Sequence, residues 1–236
     1  MTGPHRRALV AGAAGGIGRA TVARLAAEGI RVVGLDRTDE PIDGAEQMLA
    51  CDLRDGAACA AAVESAIGRL DGLDVLVHAA GITRDGVLWK LDPEAWHETL
   101  QVNLDSAFHL CRAAVPHLRA AGGGSIVLVS SINGERGKFG QTAYAASKAG
   151  LHGLGRSLAR ETGRFGVRVN IVAPGMIRTP MTAALPDEAL VSAAAESCLG
   201  RIGEPEDVAA VIAFLAGPES RHVTGQVMRV DGGQYL

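Results

Sequence analysis

Aromatic residues are scarce: Phe, Trp and Tyr together make up 3% of the 236-residue chain. A core built from this sequence therefore relies on Val, Ile, Leu and close backbone packing. The four cysteines, Cys51, Cys59, Cys111 and Cys198, are scattered, and no C-x-x-C pair occurs. That excludes the usual zinc-site and disulfide-framework patterns, and free buried thiols in a reducing cytoplasm are the expectation. No apolar run is long enough to span a bilayer. No basic block marks a nucleic-acid partner, and the net charge is −3. The opening stretch MTGPHRRALVAG has two arginines but too short an apolar segment for a signal peptide.

What is present is 47% hydrophobic residues, with abundant Ala and Gly, arranged as short apolar runs alternating with longer amphipathic ones. Residues 7–12, 30–36, 73–81, 124–131, 167–175 and 225–233 read as strands, and a further strand ends just before Asp52. Residues 17–29, 56–70, 92–118, 142–163 and 204–217 read as helices, with Asp92 as N-cap before Pro93. Several strands are apolar on both faces, which suits a parallel sheet covered on both sides. The expected fold is α/β: a single doubly wound Rossmann-type domain spanning 1–236, with a seven-stranded parallel sheet and helices on both faces. The Ala-rich segment 182–200 interrupts the alternation.

Between the first strand and helix, AGAAGGIGRA spaces Gly12, Gly16 and Gly18 as G-x-x-x-G-x-G. Glycines there allow a tight turn and a close approach to a pyrophosphate on the helix N-terminus. Asp36, ending the second strand, can accept hydrogen bonds from an adenosine ribose and would repel a 2′-phosphate. NAD is therefore favoured over NADP, with Arg37 as the counter-argument. Asp52 is a candidate for the adenine amino group or, alternatively, the N-cap of a short turn. Farther on, Tyr144 and Lys148 stand four apart and share one face of a helix. Singly, each is an ordinary packing or solvated residue.

The Gly turn, HAAG at 78–81, VNL at 102–104, the Ser131–Tyr144–Lys148 spacing and PGMIRTPM at 174–181 occur in one order. In that order the chain resembles the short-chain dehydrogenases/reductases nearly end to end. GITRDGVLWKL, SSINGERGKFGQTAYAASKAGLHG and the ending TGQVMRVDGGQYL resemble the 3-oxoacyl-carrier-protein and acetoacetyl-CoA reductases within that family. The resemblance implies reversible hydride transfer between NAD(H) and a 3-oxo or 3-hydroxy acyl thioester. It implies a catalytic set of Asn103, Ser131, Tyr144 and Lys148. Tyr144 would be the proton donor, Lys148 would favour its phenolate and hold the nicotinamide ribose, Ser131 would bond the substrate oxygen, and Asn103 would hold a water linking Lys148 to solvent.

Cofactor contacts are implied at Gly12, Gly16, Ile17, Gly18, Asp36, Asp52, Leu53, Ala80, Gly81, Tyr144, Lys148, Pro174, Gly175, Ile177 and Thr179. Two positions depart from the family pattern: Ala11 stands where Thr is common, and His78 where Asn is common. Residues 182–200 would form a small apolar lid over a short acyl chain. Arg119, Arg136, Lys138 and Arg164 are candidates for meeting an acidic carrier protein or CoA phosphates at the rim. A homotetramer is implied, packing helices such as 92–118 and 142–163 and the last strand between subunits. Two other readings remain: an NAD-dependent dehydrogenase of a cyclic alcohol or dihydrodiol, and a non-catalytic NAD-binding sensor.

Overall fold

A computed structural model of the chain describes residues 6–236. Its seven strands are β1 (Arg7–Ala11), β2 (Arg31–Asp36), β3 (Gln47–Ala50), β4 (Val75–His78), β5 (Gly124–Val129), β6 (Val167–Pro174) and β7 (Val227–Val230). They form one sheet in the order β3-β2-β1-β4-β5-β6-β7, and every pairing is parallel. The doubly wound architecture expected from the alternation is therefore present. Most strands are shorter than their apolar runs: 73–81 yields only Val75–His78, because after a last bond from Ala79 N–H to the Ala11 carbonyl the chain leaves the ladder to line a cleft.

Strand alternation divides the core into two layers. On β1, Leu9 and Ala11 join the layer of α2 (Gly56–Leu70), α4 (Ser106–Ala120) and α6 (Thr142–Thr162). Ala8 and Val10 join the opposite layer, under α1 (Gly16–Ala27) and α9 (Pro205–Ala216). Side chains end these helices as the sequence allows. The Asp55 carboxylate accepts from the N–H groups of Ala57 and Ala58 to start α2, and Glu204 forms a capping box with Asp207 at α9.

The helix expected over 92–118 is not continuous. It consists of α3 (Pro93–Leu100), a five-residue π turn (Gln101–Asp105), and α4. Asn103, at the centre of that turn, is fully buried and drawn toward the loop after β4. Its Oδ1 accepts from Ile82 N–H at 2.8 Å, and its Nδ2 donates to the Ile82 carbonyl at 3.0 Å and to Ser147 Oγ at 3.0 Å. This tertiary pull is the reason for the widened turn. Two short helices also escape the sequence pattern, α5 (Asn133–Arg136) and α7 (Pro180–Ala183), while 182–200 contains α8 (Asp187–Glu196).

Candidate active site

The strand order reverses between β1 and β4, so their carboxyl ends part and open a crevice, the usual ligand position in a doubly wound sheet. The first turn forms its floor. Gly12 has φ +77°, and a Cβ there would lie 2.5 Å from Ala80 N. At Gly18 a Cβ would lie 2.0 Å from the Gly12 carbonyl oxygen. Neither position has room for a side chain, which explains two of the three motif glycines. Helix α1 starts at Gly16 with no side chain bonded to its first amides and no acidic residue in its first turn. Those free N–H groups at the positive end of the helix suit a pyrophosphate, so the residues present fit a dinucleotide.

Two adjoining cavities continue from this turn. One, of about 660 Å³, is lined by Gly12, Asp36, Asp52, Leu53, Ala80 and Gly81, among others. The other, of about 260 Å³, is lined by Gly16, Ile17, Gly18, Ser131, Tyr144, Lys148, Pro174, Gly175, Ile177 and Thr179, among others. They share Ala14, Gly15, Ala79 and Gly81. Every candidate contact named from the sequence lies on one cavity or the other, except Asn103, which sits behind the wall.

At the larger cavity, Asp36 is held from two sides. Its Oδ2 accepts from Ala14 N–H at 2.9 Å and its Oδ1 from Arg37 N–H at 2.8 Å. Asp52 pairs with Arg54 at 2.6 Å, and the guanidinium holds its carboxyl down at about 2. Asp52 is thus no free acceptor but the cap of a short turn, the alternative the sequence offered: its Oδ1 also accepts from Arg54 N–H at 3.0 Å, and Asp55 N–H donates to its carbonyl at 3.0 Å. Arg54, Arg84 and Glu98 also line this cavity and had no sequence signal beyond their charge.

At the smaller cavity, Tyr144 and Lys148 lie one turn apart near the start of α6. The Lys148 Nζ is buried and donates to the carbonyls of Val129 at 2.9 Å and Ala80 at 3.5 Å. It stands 5.8 Å from the centre of the Tyr144 ring. Burial pulls the Lys148 ammonium down to about 8. The Tyr144 phenol is shifted up: burial raises it, the Ser131 hydroxyl offsets part of the rise, and the Asp85 carboxylate adds to it. A phenol raised in this way keeps its proton at neutral pH, so the proton is in place when negative charge develops on a substrate oxygen. Ser131 Oγ accepts from Asn133 N–H at 3.1 Å, which leaves its own proton free to donate.

Further side chains brace the wall. The Asn103 side-chain amide bonds Ile82 and Ser147 and so braces the loop beside Gly81. His78 Nε2 lies 2.7 Å from Ser106 Oγ, whose own proton goes to the Val102 carbonyl at 2.6 Å. His78 therefore donates from Nε2 and is neutral; burial, reinforced by the nearby Lys148 charge, pulls it down to about 3. Of the proposed rim cations, Arg119 and Arg164 stand 4.0 and 4.7 Å from the Phe165 ring centre, Lys138 is exposed, and Arg136 is tied into the structure.

A family model described as Enoyl-(Acyl carrier protein) reductase matches residues 12–234. The 3-oxoacyl-[acyl-carrier-protein] reductase of Thermotoga maritima is 43% identical over 238 residues, covering 97% of this chain and 97% of the relative. A short-chain reductase protein of Streptomyces niveus is 40% identical, over 96% of this chain and 93% of the relative. The (3R)-3-hydroxyacyl-CoA dehydrogenase of Rattus norvegicus is 40% identical, over 97% and 96% respectively. With this likeness over nearly its full length, the chain belongs to the short-chain dehydrogenase/reductase family, whose members are oxidoreductases that use a nicotinamide cofactor.

Proposed function

We propose that this protein transfers a hydride between NAD(H) and the 3-oxo or 3-hydroxy carbon of an acyl thioester, as in fatty acid metabolism. The observation that carries the reading is Tyr144: a phenol held protonated beside the Ser131 hydroxyl, at the end of a dinucleotide-shaped cleft. The named relatives supply the thioester class, since two of them act on 3-oxoacyl or 3-hydroxyacyl groups by name.

The cofactor, when bound, supplies or accepts the hydride. Everything else falls to the chain. The free α1 amides and Thr179 would hold the pyrophosphate; Pro174, Gly175 and the Ile177 backbone would orient the nicotinamide. Ser131 donates a hydrogen bond to the substrate oxygen, and Tyr144 gives that oxygen its proton as negative charge develops. Lys148 holds the ribose and keeps a positive charge near the site at neutral pH. Asn103 positions the 80–82 loop through its clamp on Ile82, and its Oδ1 retains one lone pair for a water. Segment 182–200 acts as the lid.

NAD(H) is the proposed cofactor because the fixed Asp36 carboxylate faces the adenosine end of the cleft. Purified protein given acetoacetyl-CoA is expected to consume NADH in preference to NADPH. Asp36→Ser is expected to improve use of NADPH relative to NADH by about tenfold or more, since it removes a charge repulsion worth about a kcal/mol or more at close range. Oxidation of NADH with crotonyl-CoA but with no 3-oxoacyl thioester would replace carbonyl reduction with the enoyl chemistry in the family model's description. Turnover confined to cyclic alcohols with NAD⁺ would shift the substrate class.

Tetrameric assembly belongs to the same proposal. Among the described residues β7 ends the sheet with one edge unpaired, none of its residues is buried, and Phe108 on α4 is 47% exposed. Sedimentation at micromolar concentration is expected to show about four subunits per particle, and a monomer there contradicts it.

A further inference from the structure

A continuous string of polar side chains runs along the substrate side of the cleft, and Arg136 is its centre. Its Nε donates to Asn133 Oδ1 at 3.1 Å. One terminal nitrogen donates to Glu196 Oε2 at 3.1 Å and to the Gln234 carbonyl at 3.4 Å. On the wall side, Asn133 reaches two places: its N–H donates to Ser131 Oγ, and its Nδ2 donates to Gln141 Oε1 at 3.0 Å. Gln141 in turn donates to Asp85 at 2.9 Å. On the far side, Gln234 Nε2 donates to the same Glu196 oxygen at 2.9 Å, and Gln234 Oε1 accepts from Met176 N–H at 3.0 Å.

The ends of this string matter. Glu196 is the last residue of α8, the helix of the 182–200 segment. Met176 lies between Gly175 and Ile177, both on the smaller cavity. Ser131 carries the hydroxyl that faces the same cavity. The Arg136 guanidinium thus joins α8 to the wall after β5 directly, and to the loop after β6 through Gln234. The bond from Gln234, and after it the pairing with Arg136, hold the Glu196 carboxyl below its ordinary range, so the charges persist at neutral pH. The small residues around the string leave it little freedom: a Cβ on Gly134 would lie 2.8 Å from the Lys148 carbonyl carbon, and one on Gly175 would lie 2.7 Å from Gln234 Oε1.

We propose that Arg136 is a positioning residue that latches α8 onto the Asn133–Ser131 wall, so that closure of the substrate lid and placement of the Ser131 hydroxyl are one event. Its guanidinium contributes through Glu196 and Asn133 and does not meet the acyl carrier. The kinetic part rests on the reading of this cleft as a thioester reductase; the latch itself does not.

Two measurements separate those parts. Thermolysin cleaves before apolar residues, and Leu185, Leu190 and Val191 offer sites in the segment. In Arg136→Ala, cleavage within 184–191 is expected to accelerate about tenfold, the size expected from losing charged hydrogen bonds of this kind. Glu196→Ala gives the same acceleration and keeps the test available should the arginine variant fold poorly. The double variant is no faster than either single one, and exchanging the charges (Arg136→Glu with Glu196→Arg) recovers most of the protection. Unchanged cleavage in the single variants, or additive effects in the double one, overturns the latch. In turnover with acetoacetyl-CoA, Arg136→Ala raises KM for the thioester about tenfold through the lid and lowers kcat about tenfold through Ser131, while KM for NADH changes less than about threefold. If cleavage accelerates but no thioester is turned over by the unmodified protein, the latch stands and the substrate assignment falls. If KM for the thioester is unchanged while cleavage accelerates, the coupling between lid and wall is overturned.

Discussion

Tyr144→Phe lowers kcat for 3-oxoacyl thioester reduction by about 10³-fold, within the range attributed to a positioned general acid. The substitution removes one oxygen and leaves the ring, so the packing of α6 against the wall is preserved. No neighbour can substitute for it. Lys148 is held by the Val129 and Ala80 carbonyls, His78 is buried and neutral, and Ser131 has a far weaker acid in its hydroxyl. Affinity for NADH, read by the cofactor's own fluorescence, should change by less than about threefold because only the Tyr144 hydroxyl, one of many implied cofactor contacts, is lost. A variant that keeps a tenth or more of the parent kcat would place the proton source outside Tyr144.

Lys148→Met is expected to lose turnover and gain stability. Turnover falls because the cation that balances developing negative charge is gone, a loss of about 10²-fold or more. Stability rises because the folded chain no longer buries an ammonium. Burial takes this group from an ordinary 10.5 to about 8. Below pH 8 both the folded and the unfolded chain carry the proton, and folding bears the full cost of burying it. Between about 8 and 10.5 the unfolded chain binds the proton and the folded chain does not, so the parent gains stability as pH rises. The shift corresponds to about 3 kcal/mol. Urea midpoints should therefore show the Met variant ahead at pH 7, with the gap closing toward pH 10. A variant less stable than its parent at pH 7 would mean that the ammonium is a net support of the fold. This trade of stability for charge is the usual mark of a working site.

Local patterns carried much of this in the sequence. The glycine turn was legible because strand, turn and helix are contiguous, and positions 12 and 18 have no space for a Cβ. The shared face of Tyr144 and Lys148 follows from helical spacing alone. The alternation of apolar runs sufficed for the sheet. What escaped depends on segments that meet only in three dimensions. The π turn arises because Ile82 captures the Asn103 amide, and nothing between 92 and 118 signals that. The direction of the Lys148 ammonium depends on carbonyls 68 and 19 residues away. Arg136 looked like a surface cation for an acidic partner, since its partners Glu196 and Gln234 lie far along the chain. Asp52 was offered as a ligand or a short-turn cap; the cap is there, and the Arg54 side chain, two residues on, occupies the carboxylate as well.

The reversal of strand order at β1 also has a kinetic consequence. The crevice has no walls until β1 meets β4, a register that pairs Ala8 with Val75 and Ala11 with His78. A folding chain must close that loop, with α1, β2, β3 and α2 inside it, before any dinucleotide surface exists. Loop closure of this kind sets the pace for parallel sheets. A cofactor therefore has nothing to grip during the climb to the transition state if that pairing forms late. It would lengthen the lifetime of the finished fold by slowing its escape, and leave the rate of its formation unchanged.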